Sequence, residues 1–148
     1  MVKRKKPLKR YVGIKRRYAD SDRKSDSEIA NLISIADTCF SKYIRNKYAD
    51  ENGIVSCFTC DTLLKISQIT LGHFIGRKNK SVRWHIHNGR PQCIECNNHK
   101  GGNIDIFRER LEKEIPGIVD KLTLLSKRRI KLTAEYLNKI INKYGKKK

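Results

Sequence analysis

Residues 57–103 read CFTCDTLLKISQITLGHFIGRKNKSVRWHIHNGRPQCIECNNHKGGN, and this stretch decides the fold. Two Cys-x-x-Cys pairs, Cys57 with Cys60 and Cys93 with Cys96, bracket the 32 residues 61–92. Such pairs fold as knuckles that place four thiolates tetrahedrally around one zinc ion. The insert is longer than a zinc ribbon needs, which leaves room for a second site between the knuckles. It carries His73, His85 and His87, and His99 follows just beyond Cys96. A structural zinc contributes on the order of 10 kcal/mol to folding, enough to hold a domain whose apolar core is modest. Four of the five cysteines sit in these two pairs, a metal pattern rather than a disulfide framework, and it points to a reducing compartment. Cys39, the fifth, lies in an apolar helical pattern and reads as a small packed hydrophobe.

Working outward, Ile54–Ser56 reads as a short extended lead into the first knuckle. Residues 69–74 are β-branched and aromatic enough for a strand that ends at Gly72-His73-Phe74. A basic turn over 76–80 follows. Val82, Trp84 and Ile86 then alternate with Arg83, His85 and His87, which predicts a second strand with one core face and one polar face. Asn88-Gly89-Arg90-Pro91 reads as a loop, and the second knuckle leads into a helix beginning near Asn97.

The flanks divide into three parts. Residues 1–26 form a flexible basic arm with no sustained apolar period. Residues 27–53 carry Ile29, Leu32, Ala36, Phe40 and Ile44 at spacings of three and four, one stripe of a long amphipathic helix that stops near Asn52-Gly53. After the central domain, 54–117, the stripe of Ile104, Phe107 and Leu111 predicts a helix that stops at Pro116-Gly117. Residues 118–148 hold two more helices, the last capped by Thr133, and a basic tail. The apolar face of that last helix is a candidate dimer interface as well as a core surface. The fold class is α+β, a small zinc-framed domain with flanking helices and basic arms.

With 34 Lys+Arg against 15 Asp+Glu, the 148-residue chain has a formal charge of +19. Such a field concentrates polyanions, and nucleic acid is the leading partner. No apolar run approaches the roughly 18 residues of a membrane span, and no signal peptide opens the chain. Within the insert, a neutral imidazole at His73 can take a proton from water, the general-base step of phosphodiester hydrolysis. Asn88 and Asn97 supply amide oxygens that suit a hard cation such as Mg²⁺ or orient a loop. Arg77, Arg83, Arg90 and Lys100 are candidates for phosphate contacts.

Taken together, Gly72-His73-Phe74, Asn88 and Cys96-Asn97 within a four-cysteine frame resemble the HNH, or ββα-metal, nuclease motif. Phe40-Ser-Lys-Tyr-Ile-Arg45, Cys57-Phe-Thr-Cys60, Arg90-Pro-Gln-Cys93-x-x-Cys96-Asn97 and His99-Lys100-x-Gly102-Asn103 are similar to the phage NinG (Rap) recombination proteins. The resemblance covers about residues 29–117, and phage endonuclease VII looks like a more distant relative. It implies a treble-clef-like ββα-metal domain in a phage protein of the host cytoplasm, a hydrolase that cuts branched recombination DNA, Holliday junctions or D-loops, with Mg²⁺ or Mn²⁺. By position, His73 matches the general base, Asn88 the asparagine that shapes the loop, and Asn97 the metal-binding final residue. Many such enzymes carry a metal-binding acid or histidine before the first histidine. Here Gly72 stands in that place, so His85, His87 or His99 would have to complete the catalytic cation's shell alongside His73 and Asn97. Two other readings share these features: a non-catalytic zinc module that binds nucleic acid, and a sequence-specific HNH endonuclease of homing or restriction type.

Overall fold

The computed structural model describes the backbone of residues 9–146 and the side chains of residues 25–146. The first eight residues of the expected basic arm and the last two lysines of the tail lie outside the described residues. No proline stands between Pro7 and Pro91, and lysine, arginine and alanine favour helix. Helix α1 accordingly runs Lys9–Lys47, taking in residues that composition alone assigned to a flexible arm. Arg45 and Lys47 in its last turn complement the negative end of the helix dipole. It stops before the expected Asn52-Gly53 because the Asp50 carboxylate accepts from the backbone N–H of Asn52 and Ile54, at 2.9 and 2.7 Å, and reverses the chain. Gly53, at φ +72°, completes that turn in the left-handed region.

Two small antiparallel sheets follow. Strands β1 (Ile54–Ser56) and β2 (Leu63–Lys65) pair across the first knuckle. Strands β3 (Thr70–His73) and β4 (Gly89–Gln92) pair with Gly72 opposite Arg90 and His73 opposite Gly89. The expected strand over 82–86 is instead a run of turns, closed by bonds from His85 N to Val82 O and from Asn88 N to His85 O. Its alternation misleads because Val82 and Trp84 enter different cores: Val82 joins Phe74, Phe107 and Leu122, while Trp84 joins Ala36, Phe40 and Leu137. The partner strand lies where a loop was expected. Pro91 is tolerated there because its carbonyl accepts from Phe58 N at 2.8 Å, so its polar groups point away from β3 and no ladder bond is lost.

A single π-helical turn, Glu95–His99, follows the second knuckle. Helices α2 (Ile104–Glu114), α3 (Ile118–Ser126) and α4 (Ala134–Tyr144) match the apolar spacing, and Thr133 caps α4 through its hydroxyl and Tyr136 N. Helix α4 packs on α1, with Leu137 and Tyr144 buried, so the stripe that was a candidate dimer interface is used within the chain. Cys39 packs beside them as a small hydrophobe. The segment of β3 and the following turns thus meets α1 and α4 through Leu71 and Trp84, and α2 and α3 through Phe74 and Val82. Among the described residues, no helix is long and apolar enough to cross a membrane.

Arg90 ties these layers together. Its side chain is 1% exposed and stacks between the rings of Tyr48 and Phe58, at 5.4 and 5.3 Å. It forks onto Glu114 of α2 at 3.0 and 3.1 Å and donates to the carbonyl of Gly89 at 2.8 Å. Removing Glu114 leaves a buried cation short of its counter-charge. Glu114→Ala should lower unfolding stability by roughly 2–3 kcal/mol, measured by urea denaturation; a change below about 0.5 kcal/mol, the range of an ordinary surface substitution, would refute this role.

Candidate functional site

The four knuckle thiols converge. Their sulfurs lie within 4.8 Å of one another, and Cys60 Sγ and Cys93 Sγ are 3.7 Å apart. A tetrahedral zinc with bonds of about 2.3 Å sets its sulfurs about 3.8 Å apart, so the quartet fits that ion. The loops supply hydrogen bonds to the sulfurs: Cys93 N donates to Cys57 Sγ at 3.3 Å, and Cys96 N to Cys93 Sγ at 3.4 Å. Burial works against ionising Cys57, but the Cys93 amide and the Thr59 groups hold its thiol down at about 6. Burial and the neighbouring thiols push Cys93 up to about 12. One thiolate therefore discourages the next, a conflict that a dication removes. Arg110 fixes the first knuckle to α2 by forking onto Asp61, at 2.6 and 2.7 Å, and by donating to Phe58 O.

Beside this frame lies a cleft of about 600 Å³. The π-helical turn buries Cys96 within the cysteine quartet and sends its neighbour Asn97 to the cleft wall. Strand β3 contributes Leu71 and His73, and α1 supplies the facing wall with Asp37, Thr38, Ser41 and Arg45. Asn97 Nδ2 donates to Thr70 Oγ1 at 3.0 Å and to Leu71 O at 3.3 Å. The amide nitrogen is thereby committed, and the amide oxygen is the end left for a cation.

His73 Nε2 lies 3.1 Å from Arg83 O. A carbonyl can only accept, so Nε2 carries the proton and Nδ1 is the basic nitrogen. Burial pushes the imidazole down to about 4; the Arg83 carbonyl and Asp37 act in the opposite direction, while Arg77 adds to the lowering. Asn88 is fully buried and closes the turns: its Oδ1 accepts from Ile75 N at 2.8 Å, and its Nδ2 donates to the carbonyls of Ile75 and Val82. Its side chain therefore holds the connection between β3 and β4.

A family model described as bacteriophage lambda NinG protein matches residues 3–148. The chain belongs to the NinG family. No curated protein and no solved structure matches it.

In this NinG-family chain, His73, Asn97 and Arg77 line the cleft, while the remaining residues singled out from the sequence do not. His85 and His87 sit 5.6 Å apart outside it, beside Lys121 and Arg90 respectively, and burial lowers both. His99 and Lys100 are exposed beyond the cleft wall. The structure therefore sets these three histidines outside the cleft that holds His73 and Asn97, because local spacing says nothing about which way a turn faces. Two arginines are corrected. Arg90 is interior, and Arg83 is engaged by Asp37 at 2.5 and 2.9 Å, so neither is a free phosphate clamp. Gly72 also acquires a reason. A Cβ there would lie 1.9 Å from Gln92 Oε1, so the fully buried Gln92 amide fills the space that a side chain at position 72 would take. Asp37 is the residue that sequence reading missed, since an acidic residue beside an apolar helical stripe carries no local motif.

Two outcomes check this site. Cys57→Ser should abolish cooperative folding, followed by circular dichroism with the zinc content measured in parallel; a variant with native helicity and stability would contradict a structural metal. By nuclear magnetic resonance, His73 should stay neutral from pH 8 to pH 5 and titrate near 4. Because its folded value is depressed, its contribution to stability is complete above the ordinary 6.5 and is lost as pH falls toward about 4. Titration at 6.5 would contradict the buried geometry.

Proposed function

We propose that the chain is an HNH-type, ββα-metal endonuclease with a treble-clef-like zinc frame, acting on branched recombination DNA. The observation that carries this reading is the bond from His73 Nε2 to Arg83 O in a cleft shared with Asn97. It fixes the tautomer that a general base requires and leaves Nδ1 to take a proton from water. Water adds to phosphorus as its proton passes to Nδ1, the P–O bond to one sugar breaks, the leaving sugar oxygen takes a proton from solvent, and the proton on Nδ1 is later returned to solvent. A base that titrates near 4 is deprotonated at neutral pH but weak. An incoming phosphate raises it toward the working pH, because negative charge favours the imidazolium.

The cleft offers a hard cation Asn97 Oδ1 and other neutral oxygens, among them those of Ser41 and Asn98, since the Asp37 carboxylate is already engaged. That donor set suits a Mg²⁺ or Mn²⁺ that keeps most of its waters and takes phosphate oxygens from the substrate. Bound there, the cation would supply charge stabilisation for the leaving oxygen. Arg45 and Arg77 stand on the two sides of the cleft, where a phosphate backbone could run between them. The charge of +19 favours DNA over any neutral substrate. The preference for branched DNA rests on membership of the NinG family and on the resemblance of its motifs to recombination nucleases.

The protein, zinc-loaded, should cut a four-way junction in Mg²⁺ or Mn²⁺ in preference to linear duplex. His73→Ala, with its zinc retained, should lose roughly 100-fold or more of that rate while still binding the junction. Binding without cleavage under every divalent cation would make the chain a non-catalytic nucleic-acid module. Equal cleavage of one linear sequence would instead point to a homing or restriction type of enzyme.

A further inference from the structure

We infer that Asp37, on α1, is a positioning residue that holds His73 in its working tautomer through the Arg83–Trp84 turn; this rests on the nuclease reading of His73. The carboxylate takes three hydrogen bonds from two consecutive residues. Oδ1 accepts from Arg83 Nε at 2.9 Å and from Trp84 Nε1 at 2.9 Å, and Oδ2 accepts from Arg83 Nη2 at 2.5 Å. A guanidinium fork on a carboxylate fixes direction as well as distance.

The turns over 81–88 belong to neither sheet, so side chains must set their shape. Asp37 does so from α1, Tyr144 from α4 through its hydroxyl and Trp84 O at 2.9 Å, and Asn88 from within through Val82 O. The second arm of Arg83 donates to Arg77 O at 3.0 Å, which links the neighbouring cleft wall to the same fork. At the centre of this network lies the Arg83 carbonyl, the acceptor of His73 Nε2. Without Asp37 the acceptor is free to drift, and the imidazole can place its proton on either nitrogen.

Asp37 lines the cleft, yet its place in this network argues against a role as cation ligand or base. Both of its oxygens already accept, and the Arg83 guanidinium offsets its charge. The side chains of Arg83 and Asp37 are only 18% and 26% exposed, so water competes poorly for the fork. The contact is thus a bridge from the long helix to the catalytic imidazole across 36 residues of sequence, from 37 to 73.

Asp37→Asn tests this in two ways. Long-range proton–nitrogen correlation spectra of the imidazoles need neither substrate nor Mg²⁺; they should show Nε2–H at His73 in the native protein and a mixture of tautomers in the variant. The single-turnover rate on a four-way junction should fall at least about tenfold while the junction Kd stays unchanged, and Asp37→Glu should restore part of the rate. Should Asp37→Asn fail to fold, Arg83→Lys, which keeps the charge and loses the fork, takes its place. An unchanged tautomer with an unchanged rate overturns the inference. So does a weaker junction Kd at constant rate, or a tenfold higher Mg²⁺ requirement with the native tautomer. If the native protein cuts nothing, the nuclease reading fails by itself, while the tautomer spectra still decide the link from Asp37 to His73.

Discussion

Four cysteine sulfurs held within 4.8 Å of one another are the constraint on which the rest of the structure depends. Cys57, Cys93 and Cys96 are buried in a core cluster with Val55 and Ile69 while Cys60 is exposed, and burial with the neighbouring thiols pushes Cys93 up to about 12. A dication reverses each of these costs, and its binding free energy, on the order of 10 kcal/mol, becomes folding free energy. The two knuckles are 32 residues apart in sequence, so joining them closes the loop that contains β3, the turns over 81–88 and β4. Closing such a loop without the ion would carry its full entropic cost.

The frame alone does not make the cleft. One wall, His73 and Asn97, hangs from the cysteine quartet and the β3–β4 pair; the other, Asp37 to Arg45, belongs to α1. What joins them is the Asp37–Arg83 fork together with the packing of Phe40 and Ile44 of α1 against Trp84 and Leu71. Satisfied networks of this kind specify one arrangement of a turn that regular hydrogen bonding does not shape. They also show why a strongly basic chain has fewer free arginines at its cleft than its composition suggests. Arg83 and Arg90 hold the structure, and Arg45 donates to the carbonyls of Ser41 and Ile66 at the cleft edge, opposite Arg77.

Much of this was legible in the sequence, and the parts that were not share a cause. The cysteine pairs announced their cluster because a metal needs few, identifiable ligands at fixed spacing. The stripes through Phe40, Phe107 and Leu137 announced helices because each buries one face. Asn88 and the neighbourhood of His73 and Asn97 followed from motif resemblance rather than periodicity. The misplaced strand over 82–86 arose because alternation assumes a single core, whereas Val82 and Trp84 divide between two. Strand β4 escaped because Gly89 and Pro91 read as loop signals, and neither harms an edge strand whose outer groups bond elsewhere. Asp37 had no local signature, since its partners lie 46 and 47 residues away.

One metal ion held by cysteine alone would organise the fold around the cleft. X-ray absorption at the zinc edge of the native protein tests it most directly. One zinc per chain is expected, with four sulfur neighbours at about 2.3 Å and no nitrogen or oxygen bound to it. A shell that includes histidine nitrogen, or a folded protein with no zinc, would contradict it.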